Sequence, residues 1–231
     1  MINKVDYTSL TGKETDEEIM SVCEKAIELG VSSVCVYPKW VTFVKNCLED
    51  SNVKTCTVIS FPKGNDSTIE KVYETMEALV NGADEIDMVI DYQKVIDNWD
   101  GDLLPKAIDD EISNDVQTVT DIVKGAGKTI KVILETGLLT NEQTEWLTEL
   151  CVECGVDFVK TSTGKVSVGA EIEKVKCMTK AIDEDDVKIK ASGGIRTLED
   201  MELFDPYVDR FGMGYGSVDK IYLGKKSESE Y

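Results

Sequence analysis

Eight apolar runs of strand length, separated by segments with helical periodicity, constrain this chain more than any other feature. The runs are KVDYT, SSVCVY, KTCTVISF, DEIDMVI, TIKVILET, VDFVKT, DVKIKAS and VDRFG, in that order. Between them, stretches such as DEEIMSVCEKAIELG, STIEKVYETMEALVNG and GAEIEKVKCMTKAI place apolar residues at helix spacing. Asn, Asp, Ser or Thr often opens these stretches and Gly often closes them, as helix caps do. Strand and helix in alternation build parallel βαβ units. Eight such strands favour a single closed (β/α)8 TIM barrel over an open doubly wound sheet. No G-x-G-x-x-G follows the first strand, so the dinucleotide-binding version of the open sheet lacks support. A length of 231 residues suits one barrel, and no linker rich in Pro, Gly or Ser divides it. One domain over residues 1–231 is expected, with a polar, frayed tail from about residue 224 in GKKSESEY.

The chain contains no histidine. That removes Ser–His–Asp and Cys–His nucleophile systems and the usual zinc ligands. Acid–base chemistry is left to Asp, Glu, Lys, Tyr and Cys. The seven cysteines are scattered and odd in number, which points to free thiols. Only Cys151 and Cys154 form a C-x-x-C, inside the helical segment NEQTEWLTELCVECG, where packing is the expected role rather than redox or zinc chemistry. A net charge of −20, from 25 basic and 45 acidic residues, opposes binding to nucleic acid or an anionic membrane. A small phosphorylated substrate remains compatible, since a few lysines and backbone N–H groups make a local positive pocket. No run reaches membrane-span length and the N-terminus lacks a signal-peptide apolar region, so a cytoplasmic location is expected.

Functional residues of such barrels sit at the C-terminal strand ends. Strand four carries Asp87 and Asp91 there, strand five Lys131 and Glu135, strand six Lys160, and strand seven Lys188 and Lys190. Each charge alone reads as a rim residue in a solvated ion pair. Together they read differently, because a lysine beside a second cation resists protonation. Two charges about 4 Å apart at an effective dielectric near 20 repel by roughly 4 kcal/mol, enough to move a lysine from about 10.4 to about 7–8. A neutral amine attacks carbonyls and forms a Schiff base, and a nearby Asp moves protons. Two glycine-rich stretches add a second half: ASGGI after strand seven, with Gly193 and Gly194, and RFGMGYGS after strand eight, with Gly212, Gly214 and Gly216. Loops at these strand ends commonly hold phosphate on backbone N–H groups.

The strand-end motifs EIDMVI, KVILETGLLT, GVDFVKTSTGK and IKASGGIRT, with VDYTSL, SSVCVYP and TVISFPKG, resemble those of 2-deoxyribose-5-phosphate aldolases from about Asp6 to Ser217. The resemblance implies a class I aldolase without metal or cofactor. It would reversibly cleave 2-deoxy-D-ribose 5-phosphate, a phosphorylated sugar, to glyceraldehyde 3-phosphate and acetaldehyde. Lys160 falls on the Schiff-base lysine, Lys190 on the lysine that lowers its basicity, and Asp87 on the proton-relay aspartate. Lys131, Thr161 and Lys165 match pocket residues, and Cys35 and Asp6 match positions near the site. Gly164, Gly193 and Gly194 match the phosphate-binding backbone, with Ser217 as the nearby hydroxyl. The family commonly forms dimers, which makes a homodimer the expected assembly. The chain departs from the pattern in three places. Gly214 and Tyr215 stand where members carry a hydroxyl pair, Asp91 stands where many carry Asn, and strand one begins without a leading helix. An aldolase preferring non-phosphorylated aldehydes, or a silent barrel with a binding role, are the alternative readings.

Overall fold

The computed structural model describes residues 1–224 except 102 and 184. Eight parallel strands close into a barrel in sequence order, with the last bonded to the first. They are β1 (Val5–Ser9), β2 (Ser33–Val36), β3 (Lys54–Ile59), β4 (Glu85–Val89), β5 (Thr129–Ile133), β6 (Phe158–Lys160), β7 (Lys188–Ser192) and β8 (Arg210–Gly214). The (β/α)8 TIM barrel read from the alternation is the fold observed. The predicted frayed tail, apart from Gly224, lies outside the described residues.

Helices follow the strands: α1 (Asp16–Leu29), α2 (Val41–Cys47), α3 (Thr68–Val80), α4 (Tyr92–Asn98), α5 (Lys106–Gly125), α6 (Asn141–Glu153), α7 (Ile172–Ile182), α8 (Leu198–Phe204) and α9 (Tyr215–Tyr222). The polar residues that punctuate the sequence work as caps. Thr15 with Glu18, Ser67 with Glu70, Thr140 with Gln143 and Thr197 with Asp200 form reciprocal capping boxes. Asp91 also has a structural use: its side chain accepts from the Lys94 N–H at the start of α4 (3.1 Å). Cys151 and Cys154 are buried at the end of α6, and all seven cysteines are unpaired thiols. Packing is therefore what the C-x-x-C does; burial raises the Cys154 thiol to about 11, away from a reactive thiolate.

Apolar residues such as Val34, Ile86, Val132 and Ile189 join the strands to the helix layer in one core cluster. The barrel interior is different. Asp6, Glu85, Asp87, Lys131, Lys160 and Lys190 are all buried within it. Register explains the convergence: Lys160 pairs with Lys190 and Lys190 with Arg210, while Asp87 pairs with Lys131. In-register residues on neighbouring strands project to one side of the sheet.

Three placements differ from the sequence expectation. β8 spans Arg210–Gly214 rather than ending at Gly212, so Gly212 and Gly214 are strand residues and not part of a phosphate loop. Gly212 is needed for close approach: a Cβ there would lie 2.7 Å from Ser192 Cβ and 3.0 Å from Lys190 Cε. β5 ends at Ile133, and Glu135 beyond it adopts left-handed backbone (φ 58°), so it does not share a strand face with Lys131. Lys188 is exposed at the opposite, N-terminal end of β7, with its ammonium 5.7 Å from the Phe158 ring centre. No helix among the described residues is long and apolar enough to cross a membrane.

Candidate active site

Asp87 is the hub of the interior. Its Oδ1 accepts from Lys131 Nζ at 2.8 Å, and its Oδ2 accepts from Lys160 Nζ at 2.8 Å and Lys190 Nζ at 2.7 Å. Asp6 forms a second hub. It accepts from Lys190, from Ser33 Oγ at 2.7 Å and from Arg210 Nη1 at 2.6 Å. Glu85, two residues before Asp87 and on the same strand face, lies 2.6 Å from Lys131 Nζ and 3.1 Å from Arg210 Nη1.

Burial opposes ionisation of Asp6 and Asp87, but Lys131 with Lys190 and Arg210 for Asp6, and the three lysines for Asp87, hold both carboxyls below their ordinary values. Burial also opposes the charge of Lys131, Lys190 and Arg210, and facing carboxylates overcome it and raise all three. Those three cations balance Asp6, Glu85 and Asp87. Within this set Lys160 is the surplus cation, and its charge also acts on the buried Glu135 carboxyl. It is also the one lysine of the interior set that lines the open cavity above. The expected like-charge pair of Lys160 and Lys190 is therefore present, but with Asp87 bridging both ammonium groups.

Cys35 and Cys56 lie beside the hub in register, with Cys56 Sγ 3.3 Å from Asp87 Oδ1. The donor atoms of Cys35, Cys56 and Asp87 fall within 4.8 Å of one another, as do those of Asp6, Cys56 and Glu85. Ammonium and guanidinium groups already engage these carboxylates, so the donor set serves to balance the lysines.

Over the hub opens a cavity of about 480 Å³. Lys160 stands at its floor, and Gly164, Lys165, Gly193, Gly194 and Ser217 line it. Gly164, Gly193 and Gly194 all have positive φ (75°, 81° and 81°), a backbone shape that side chains disfavour. Gly169 crosses this turn so closely that a Cβ on it would meet the Gly193 carbonyl oxygen at 2.2 Å. Asp6, Cys35, Asp87, Lys131 and Lys190 lie beneath the floor rather than in the lining. Thr161 is placed differently from the pocket role implied: its hydroxyl bonds the Ser192 backbone, tying β6 to β7. Thr163 takes the lining position, held by Glu135, which accepts from its N–H (3.2 Å) and hydroxyl.

Sequence reasoning missed Glu85, Arg210, Cys56, Thr163, Arg196 and Lys220. Glu85 was findable from its two-residue spacing to Asp87. Arg210 reaches the cluster only through barrel closure, and Arg196 and Lys220 reach the cavity through loop and helix geometry that no spacing reports.

A model of the DeoC/LacD family of aldolases matches residues 1–210. The chain belongs to this family. It is 38% identical to the deoxyribose-phosphate aldolase of an Exiguobacterium species over 229 residues, covering 98% of this chain and 97% of the relative. It is 41% identical to the Finegoldia magna deoxyribose-phosphate aldolase over 217 residues, 93% of this chain and 96% of that one. Among solved structures, a putative deoxyribose-phosphate aldolase from Coccidioides immitis superposes with a TM-score of 0.86 at 34% identity, covering 95% of this aldolase and 83% of that chain. The Aeropyrum pernix deoxyribose phosphate aldolase, described as a unique tetramer, has a TM-score of 0.82 at 26% identity, covering 94% and 87%. This family member is accordingly an aldolase, a carbon–carbon lyase.

Proposed function

We propose that the chain cleaves 2-deoxy-D-ribose 5-phosphate through a Schiff base on Lys160. One observation carries the reading: Lys160, the surplus cation, reaches the cavity floor while Asp87 beneath holds it together with Lys131 and Lys190. Neutral Lys160 adds to the C1 aldehyde of the open-chain sugar, and loss of water from the carbinolamine leaves an iminium. Removal of the C3 hydroxyl proton breaks the C2–C3 bond. Glyceraldehyde 3-phosphate leaves, and the electron pair moves to the iminium nitrogen as an enamine. Protonation at C2 and hydrolysis release acetaldehyde and restore the amine. Asp87 moves protons at Lys160, while Lys190 and Lys131 keep Asp87 ionised. No external cofactor enters this sequence.

The far end of the cavity supports a phosphate site. The turns at Gly164, Gly193 and Gly194 meet the N-terminus of α9 near Ser217, with Lys165, Arg196 and Lys220 around them. These cations compensate for Gly214 and Tyr215 in place of a hydroxyl pair. Cys35, Asp6 and Thr161 support the site from below. A cytoplasmic location and a homodimer complete the proposal; the seven free thiols fit the former. The test is turnover of deoxyribose 5-phosphate against deoxyribose. Preference for the phosphate by at least about tenfold in kcat/KM, equal to about 1.4 kcal/mol, is expected. Equal turnover would favour the non-phosphorylated reading that the Gly214–Tyr215 replacement suggests. No turnover of either would reject the aldolase.

A further inference from the structure

Glu135 is wholly buried just beyond β5, in left-handed backbone (φ 58°, ψ 50°) that residues other than glycine seldom adopt. Bonds on either side hold it there: the Leu134 N–H donates to the Lys160 carbonyl at 2.9 Å, and the Thr136 N–H to that of Thr161 at 2.8 Å. It forms no ion pair among the described residues, and burial raises its carboxyl against the opposing effects of Thr163 and the Lys160 charge. A strained, desolvated carboxylate of this kind marks a place whose surroundings are built to keep it. Its side-chain hydrogen bonds all go to Thr163. Oε1 and Oε2 lie 3.2 and 3.3 Å from the Thr163 backbone nitrogen, and Oε2 also accepts from the hydroxyl. The hydroxyl oxygen in turn accepts from the Lys165 N–H at 3.1 Å, and Lys165 Nζ donates to the Leu10 carbonyl beyond β1. One carboxylate thus begins a relay that ends on another loop of the mouth.

We infer that Glu135 is a positioning residue for phosphate, fixing the turn of Thr163, Gly164 and Lys165 so that the Gly164 N–H is left for an anion; this rests on the deoxyribose 5-phosphate reading above. The N–H groups of Thr163 and Lys165 are taken up inside the turn, by Glu135 and by Thr163 Oγ1. That of Gly164, between them, has no partner among the described residues, and Gly164 lines the cavity with Lys165 and Arg196. Backbone N–H groups beside cations are what phosphate oxygens bind. Glu135 is not part of the cavity lining, so it reaches a ligand through Thr163. Ionisation matters as well as reach, because two carboxylate oxygens accept from both the N–H and the hydroxyl of Thr163. Gln sets an amide donor against one of them. Removing the negative charge also withdraws support from the Lys160 ammonium, which leaves that amine at least as neutral as before. The loss therefore falls on the phosphate end of the substrate and not on the nucleophile.

Calorimetric titration with inorganic phosphate, beside steady-state kinetics on the full chain, tests this in Glu135→Gln and in Glu135→Gly, whose glycine adopts the left-handed backbone freely. Both variants should weaken phosphate at least about fivefold and raise KM for deoxyribose 5-phosphate to match, with kcat moved less than about threefold. The loss with unphosphorylated deoxyribose should be smaller. Direction separates positioning from simple charge: through the field alone, removing an anion near the site would tighten phosphate. Thr163→Val breaks the next link of the relay and should weaken phosphate likewise. Combined with Glu135→Gln it should add little, since the two act in series. Circular dichroism and urea midpoints check that each variant is folded. Phosphate binding as tight as in the parent chain, or tighter, in folded Glu135→Gln and Glu135→Gly would overturn the inference. So would a fall in kcat at constant KM, or additive effects of Glu135→Gln and Thr163→Val. A parent chain that turns over neither sugar would reject the proposed substrate instead, and the phosphate titration would still decide on the turn.

Discussion

Two places in this barrel bury lysines, and they differ in arithmetic. Between α3 and α5, Lys71 is wholly buried and meets one carboxylate, Asp115, at 2.5 Å. At the barrel mouth Lys131, Lys160 and Lys190 share Asp87, with Asp6 and Glu85 facing Arg210 as well. The first set is one cation against one anion, and no charge is left to react. The second holds four cations against three anions, and the unbalanced one touches an open cavity. A buried lysine is therefore no sign of chemistry by itself. Surplus charge joined to access is.

The largest expected effect falls on that surplus lysine. Lys160→Ala should lower kcat/KM at least about 10⁴-fold, since no other amine at the floor replaces the nucleophile. Its stability should change by less than about 1 kcal/mol, because removing Lys160 leaves three cations against three anions. Urea denaturation beside steady-state kinetics separates the two. Asp87→Asn should lower kcat by about 10²–10⁴-fold and also destabilise, because Lys131 and Lys190 lose a shared anion.

Lys71→Met inverts the pattern. It leaves Asp115 buried without its cation and should cost about 3–5 kcal/mol, with activity per folded molecule unchanged. Pairing it with Asp115→Leu should recover most of that loss, as replacing a whole buried pair by apolar groups does. Gly212→Ala should cost about 1–3 kcal/mol and slow catalysis, since the new methyl group presses on the Lys190 stem at 3.0 Å.

The smallest effect is a flat region. Asp6 and Asp87 have depressed folded values, so their contribution is present above the unfolded value of about 3.9 and is lost as pH falls through the folded values. Lys131 and Lys190 have raised values, so their share is full below about 10.4 and is lost only as pH rises through the folded values. Denaturation midpoints should therefore change little from the cluster between about pH 5 and 9, and a steep slope there would break the charge count.

The barrel was legible because eight apolar runs and their caps are local properties. The two lysines and the aspartate were legible because strand ends in a barrel converge. Arg210 escaped because it enters the cluster through the β7–β8 and β8–β1 pairings, contacts over long sequence separation. Glu135 was misplaced because alternation along β5 stops at Ile133, where the backbone turns left-handed. The end of β8 was misjudged for a related reason: glycine usually signals a loop, but at Gly212 it signals crowding by Lys190 and Ser192. The role of Lys190 also needed the structure, which shows carboxylates beside it as well as the lysine it faces.

The central claim is that Lys160, alone among the buried lysines, acts as an amine. Incubation with acetaldehyde and borohydride, followed by peptide mass mapping, tests it directly. A reduced two-carbon adduct on Lys160, absent from Lys71, Lys131 and Lys190, is the result expected. An unmodified Lys160 in folded protein, or an adduct on another of these lysines, would contradict the account.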